Sequence, residues 1–210
     1  MIILTEIRMI ISHEKKFIYI AVPKTGTKSV HRFFRKYNSI KRKKSPDSEC
    51  FVHGGLGLAI KTTKSLGMNP DDYFSFSCVR NPWDRCVSEY FFIKKRFKQR
   101  RKVREYYNGR LPSFREWLMV YRGRSFFANH DKCQWDLIQP DQISYIIRFE
   151  DFQKGMDVVC DKIGVSKKKL PRRNQGNHVY YTTYYDEETK QIVAEKYAKD
   201  IEYFGYKFEK

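Results

Sequence analysis

Lys24, Thr25, Gly26, Thr27, Lys28 and Ser29 follow directly on an apolar run, Phe17–Val22, and lead into a stretch with helical periodicity. A cation, a glycine and hydroxyls at a strand-to-helix junction aim backbone N–H groups and positive charge at one spot. That arrangement suits a phosphate or a sulfate. A second junction repeats the plan: Phe74–Val79 runs into Arg80, and Asn81-Pro82 then opens a helix that carries Ser88. Helix geometry puts Ser88 about two turns in, where a guanidinium and a hydroxyl can converge on a terminal phosphate. The two junctions together read as a two-point clamp for a nucleotide with phosphates at both ends. Each residue also has a plainer reading. The first loop could be a surface turn, Arg80 could pair with Asp84, and Ser88 could pack as a small residue. A Walker A loop is excluded, because its spacing requires a glycine where Ala21 stands.

The elements that must position these residues follow from periodicity. Phe17–Val22 has the unbroken apolar character of a central parallel strand. Val30, Phe33, Phe34 and Tyr37 mark the apolar face of the helix after the first loop. A short strand is expected around Phe51–His53, then weak helix to Met68, and a strand over Tyr73–Val79. The helix from Pro82 becomes strongly basic, with Lys94, Lys95, Arg96, Lys98, Arg100, Arg101, Lys102 and Arg104. Ser113 and Glu116 form a capping box. Gln142–Phe149 predicts a strand, Met156, Val159, Cys160 and Ile163 trace a helix face, and a last helix spans Glu187–Tyr203. Strands alternating with helices imply an α/β fold: a central, mostly parallel sheet flanked by helices. No repeat or long linker interrupts it, so one domain is expected over residues 1–210, with residues 1–12 as a candidate N-terminal extension.

Pro23-Lys24-Thr25-Gly26-Thr27 resembles the 5′-phosphosulfate loop of the sulfotransferases. Arg80-Asn81-Pro82-Trp83-Asp84-Arg85, with Ser88 and Tyr90, resembles their 3′-phosphate element. The likeness continues through Arg148–Phe152, Leu170-Pro171 with Asn174, Tyr184–Asp186 and Asp200–Phe208, and is greatest toward the carbohydrate-type branch of Golgi and bacterial enzymes. It implies a P-loop-like fold and transfer of a sulfuryl group from PAPS (3′-phosphoadenosine 5′-phosphosulfate) to an acceptor hydroxyl. The product would be adenosine 3′,5′-bisphosphate (PAP), with no metal required. Lys24 would assist departure, Lys24–Ser29 would hold the phosphosulfate end, and Arg80 with Ser88 the 3′-phosphate. Lys28 departs from the commoner Thr, and either adds a phosphate contact or faces solvent. Asn174-Gln175-Gly176-Asn177 departs from the relatives' usual Ser- and Arg-containing stretch. For the base that takes the acceptor proton, His53 follows a short apolar strand, where similar enzymes place theirs; Glu49 is the alternative. His130, near Gln134, could line an acceptor cleft. Tyr180, Tyr181, Tyr184 and Tyr185 could stack on sugar or adenine, or form a packed edge.

The chain of 210 residues carries a formal net charge of +18, which calls for an acidic partner. A polyanionic carbohydrate is one such partner. The basic stretch also permits a nucleic-acid-binding protein, and the phosphate-loop plan a nucleotide-kinase-like phosphotransferase; nucleic acid is not the expected partner. Cys50, Cys78, Cys86, Cys133 and Cys160 form no C-x-x-C pair or metal-ligand spacing. Such scatter fits a reducing cytoplasm. Met1–Ile11 is apolar but interrupted by Glu6 and Arg8, too short to span a bilayer and unlike a signal peptide. A soluble, cytoplasmic protein is therefore expected.

Overall fold

A computed structural model describes residues 9–39, 55–170 and 180–209. The strands are β1 (Ile10–Ser12), β2 (Phe17–Ile20), β3 (Phe74–Val79) and β4 (Tyr145–Arg148). The helices begin with α1 (Thr27–Phe34), α2 (Leu56–Ser65), α3 (Pro82–Gln99), α4 (Arg101–Tyr106) and α5 (Phe114–Met119). They are followed by α6 (Gln134–Ile138), α7 (Phe152–Lys162), α8 (Glu187–Lys196) and α9 (Ala198–Phe204). The fold is α/β with a mostly parallel sheet, as the alternation predicts. The chain forms two compact units, Met1–Val79 with Gln134–Arg173, and Arg80–Cys133 with Asn174–Lys210. Among the described residues no helix is long and apolar enough to cross a membrane.

The first unit holds the sheet, in the order β1-β2-β3-β4. β1 runs antiparallel to β2 (Ile10 opposite Tyr19), and the other pairs are parallel (Phe17 opposite Phe74, Phe76 opposite Tyr145). All four residues of β2 are buried, which is why the strand has no polar alternation. Phe17, Tyr19, Phe76, Cys78 and Ile147 line one face and share a single core with Val30 and Phe34 of α1 and Met156, Val159 and Cys160 of α7. Phe17 and Phe34 pack with centroids 5.2 Å apart, Tyr19 and Phe76 at 5.1 Å. Burying one such ring contributes about 1.5–3 kcal/mol. Gly155 lets α7 close on the sheet: a Cβ there would lie 2.6 Å from Ile147 Cγ2. The alternate residues of β3 are serines, and they find partners: Ser77 Oγ donates to the Ile20 carbonyl at 2.7 Å, and Ser75 Oγ lies 3.1 Å from Ser144 Oγ.

The second unit is helical and is organised by α3. Asn81 caps that helix, its Oδ1 accepting from Trp83 N–H at 3.1 Å, with Pro82 in the first turn. The buried face of α3, Trp83, Cys86, Val87, Tyr90 and Ile93, has the helical spacing of a core stripe. Arg85 is also buried, and its partners are neither Asp84 nor Glu89, the local acids that spacing offers. Its Nη2 donates to the carbonyls of Lys132 at 2.5 Å and His130 at 3.4 Å, and its guanidinium lies 4.9 Å from the Tyr197 ring centroid. Desolvation alone would lower the Arg85 pKa, but Tyr197, Asp200 and Cys86 turn the balance upward. Burial holds the Tyr197 phenol well above its usual range and pushes the Cys86 thiol up to about 11. Both are therefore protonated at neutral pH.

Three boundaries differ from expectation for physical reasons. The last helix is split at Tyr197 (φ −115°), whose ring is drawn into the Arg85 cluster. The basic helix ends at Gln99, because Arg104 Nη1 donates to the carbonyls of Phe97 (3.1 Å) and Lys98 (3.5 Å) and so caps α3 after the turn at Arg100. The strand expected over Gln142–Phe149 is shortened to β4 by 3₁₀ turns at Pro140–Gln142 and Phe149–Asp151. The strand expected around Phe51–His53 lies outside the described residues. The capping box forms, with Ser113 Oγ accepting from Glu116 N–H at 3.1 Å and the Glu116 carboxylate from Ser113 N–H. Cys78, Cys86, Cys133 and Cys160 are free thiols.

Candidate functional site

In the first unit, the chain leaves β2 through Ala21-Val22-Pro23 and turns at Lys24 and Gly26, which have φ of +69° and +82°. A left-handed lysine is uncommon, costing on the order of 1 kcal/mol, so the surrounding loop must impose it. Part of that restraint comes from the threonines. Thr25 Oγ1 and Thr27 Oγ1 both donate to the Val22 carbonyl, at 2.9 and 2.7 Å, and both residues are buried. Their hydroxyl protons therefore fasten the loop to the end of the strand. What Thr25 and Thr27 can offer an anion is the backbone.

Gly26 is fixed by two constraints at once. Its φ favours glycine, and a Cβ would lie 2.9 Å from Phe152 Cζ and 3.2 Å from Phe149 Cε2. These two rings, from the turn after β4 and the start of α7, form a wall; the sequence marks Arg148–Phe152 as part of the likeness but not this role. Gly26 is also the N-cap of α1, and it offers no side chain to the first-turn amides. The first turn contains no acidic residue. A helix N-terminus with its positive dipole end, no side-chain cap and no acid in its first turn fits an oxyanion, while Ser29 N–H is given to the Gly26 carbonyl at 2.8 Å. Lys24 is half-buried, Lys28 exposed and Ser29 half-buried. Gly26→Ala is expected to destabilise the first unit by about 1–3 kcal/mol. It should also cost anion affinity at least tenfold, read by thermal denaturation with and without PAP. Unchanged affinity would show that the loop's conformation is not what binds.

In the second unit, Arg80 Nε and Nη2 fork the Asp84 carboxylate at 2.7 and 2.8 Å. The Arg80–Asp84 pairing that i,i+4 spacing allowed is therefore present. It fixes the guanidinium plane, and Arg80 is only 8 % exposed. Ser88 is half-buried on α3. Asn81, besides capping, donates from Nδ2 to the Lys207 carbonyl at 2.8 Å and so ties the start of α3 to the chain's end. His130 is buried among Phe92, Phe127 and Glu89, and does not line an open cleft. Its Nδ1 lies 2.7 Å from Glu89 Oε2, while Ser125 Oγ donates to Glu89 Oε1 at 2.6 Å. Three of the tyrosines form a packed edge. Tyr181 and Tyr185 meet Phe208, Tyr184 meets Phe91 and Phe114, and Tyr185 OH donates to the Trp83 carbonyl at 2.8 Å. Tyr180 is the exposed member, at 72 %.

His53 and Glu49 lie outside the described residues, as does Asn174-Gln175-Gly176-Asn177. Gly55, two positions beyond His53, is described and closely packed: a Cβ there would lie 2.2 Å from the Leu137 carbonyl oxygen.

A family model described as the sulfotransferase family matches residues 8–207. The chain therefore belongs to the sulfotransferase family, and its chemistry is that of a sulfuryl transferase. Among solved structures it is similar to a sulfotransferase from Alicyclobacillus acidocaldarius, with 17 % identity and a TM-score of 0.41, over 92 % of this chain and 96 % of that one. Among curated proteins, none matches.

Proposed function

We propose that the protein transfers a sulfuryl group from PAPS to a carbohydrate hydroxyl. The observation that carries the donor reading is the loop after β2: an uncapped, acid-free helix N-terminus with Gly26 as N-cap and Lys24 held two residues before it. In this reading Lys24, the amides of Thr25, Gly26 and Thr27 and the Ser29 hydroxyl hold the 5′-phosphosulfate, with Lys28 at the solvent side. Arg80, oriented by Asp84, and Ser88 hold the 3′-phosphate. In the transfer, the bond from sulfur to the 5′-phosphate oxygen breaks as the acceptor oxygen bonds to sulfur, and negative charge develops on the departing oxygen. Lys24 meets that charge, and groups that meet charge as it develops lower the barrier. The acceptor proton passes to His53, with Glu49 as the alternative base.

The test is calorimetric titration with PAP, 5′-AMP and ATP, each with and without EDTA. Expected is micromolar PAP binding that requires the 3′-phosphate, survives EDTA and weakens at least tenfold in Arg80→Ala. Equal binding of ATP, or binding that EDTA abolishes, would favour a kinase-like phosphotransferase and overturn this reading. His53→Ala should lower kcat by about 10²–10⁴-fold with PAP affinity kept. Full activity in that variant would move the base to Glu49.

A further inference from the structure

We infer that the segment Lys207–Glu209, clasped by Asn81 and Tyr181, positions Arg80 for the 3′-phosphate, which makes Asn81 and Tyr181 positioning residues for the donor nucleotide. The inference rests on the proposed role of Arg80, and its test tells loss of that role from loss of the clasp.

Arg80 and Asn81 stand between β3, which ends at Val79, and α3, which begins at Pro82. Asn81 ties this junction down with both ends of its side-chain amide. Its Oδ1 accepts from Trp83 N–H at 3.1 Å, while its Nδ2 donates to the Lys207 carbonyl at 2.8 Å and to Tyr181 OH at 3.4 Å. Capping needs only the oxygen, and serine or aspartate would cap as well. The amide nitrogen is the part of Asn81 that capping does not explain, and it reaches the 207–209 segment and its tyrosine.

Tyr181 completes the clasp. Its hydroxyl donates to the Glu209 carbonyl at 2.5 Å, and accepts from Glu209 N–H at 3.0 Å as well as from Asn81 Nδ2. A phenol has one proton to give and lone pairs to accept with, and this one uses both capacities on the same strand of chain. Burial above all raises the Tyr181 pKa, and the nearby Asp84 carboxylate acts in the same direction, so the phenol keeps the proton it donates. Between the two tie points the Phe208 ring meets Trp83 at 5.6 Å and Tyr181 at 5.5 Å between centroids, nearly perpendicular to each. Trp83 lies in the first turn of α3, one residue before Asp84. The consequence falls on Arg80. Its guanidinium is forked onto Asp84 in that same first turn, so its plane follows the turn wherever the clasp sets it. Charge-assisted bonds to phosphate weaken steeply as the donor angle departs from linear. A small tilt of the turn is therefore felt at the 3′-phosphate, and not at the loop after β2.

The experiment measures PAP and 5′-AMP affinities by calorimetry, with melting temperatures, for Tyr181→Phe, Asn81→Ser, Arg80→Ala and the double variant Arg80→Ala with Tyr181→Phe. Phenylalanine keeps the ring against Phe208 and removes only the hydroxyl, and serine keeps a capping oxygen while removing the amide nitrogen. Expected in each clasp variant is PAP affinity lower by about five- to tenfold, the partial loss of a hydrogen bond to a charged group, with 5′-AMP affinity changed by less than about twofold. In the Arg80→Ala background Tyr181→Phe should cost nothing further, because residues that act through one another are not additive. On the unaltered protein, PAP but not 5′-AMP should slow hydrogen exchange in the peptide carrying Tyr206–Glu209, since coupling between two sites is reciprocal; that measurement decides the matter should a variant fold poorly. Equal losses of PAP and 5′-AMP affinity with a fall in melting temperature would reduce the clasp to packing and overturn the proposal. Additive costs in the double variant, an unchanged ratio of the two affinities in Tyr181→Phe, or exchange indifferent to PAP would overturn it too. If Arg80→Ala itself leaves PAP affinity unchanged, the donor reading fails and takes the clasp with it, a result distinct from an intact Arg80 effect without a clasp effect.

Discussion

Lys24→Ala is expected to reduce kcat by about 10²–10³-fold, equivalent to ~2.7–4 kcal/mol of transition-state stabilisation, while PAP affinity falls by less than tenfold. The asymmetry follows from where the charge is needed. In the proposed donor site the amides around Gly26 already serve the 5′-phosphate of PAP. The lysine is needed most as the bridging oxygen takes on charge during departure. Single-turnover rates with PAPS, set beside calorimetric PAP affinities, separate the two effects. Lys24→Arg should restore little, because a planar fork does not reproduce a compact ammonium at a residue whose backbone is held at φ +69°. An affinity loss as large as the kcat loss would demote Lys24 to a simple anchor.

Arg85→Ala is expected to destabilise the second unit by about 3 kcal/mol, because it removes a buried side chain together with its hydrogen bonds. The alanine would leave a void beside the Tyr197 ring, whose centroid the guanidinium now approaches to 4.9 Å. It would also strip the donor from the carbonyls of His130 and Lys132. A melting temperature lower by about 10 °C, with hydrogen exchange accelerated chiefly in α3 and α8, would meet the expectation. A shift of less than about 2 °C would mean that Arg85 is replaceable and that Tyr197 packs without it.

These two residues also mark what could be read in the sequence. Lys24 was legible because everything that defines its setting is local: an apolar strand before it, a glycine two residues on, and a helix with Phe34 at the correct spacing. Met156, Val159 and Cys160 were legible for the same reason, being a periodic stripe on one element. Arg85 was not. Its partners lie at His130, Lys132, Tyr197 and Asp200, far along the chain, and local spacing offered Asp84 and Glu89 instead. Asp84 turned out to serve Arg80. The break at Tyr197 had no glycine or proline to announce it, since tertiary packing of the ring overrides the helical pattern. The wall of Phe149 and Phe152 behind Gly26 was equally hidden, because the need for glycine there comes from residues more than a hundred positions away.

The crossover from β3 to β4 has a consequence for assembly. Ser75 bonds Ser144 across 69 residues of chain, and that interval contains all of α3, α4, α5 and α6. Closing so long a loop carries an entropy cost that grows only slowly with length, but it must be met before the pairing yields any contact energy. Proteins rich in such distant pairings fold slowly. During synthesis β1, β2 and β3 can pair as soon as they emerge, with α1 laid over Phe17 and Phe76, while the edge of β3 stays open until Tyr145–Arg148 arrives. An open parallel edge is a template for other chains, so the nascent protein is most prone to aggregation during that interval.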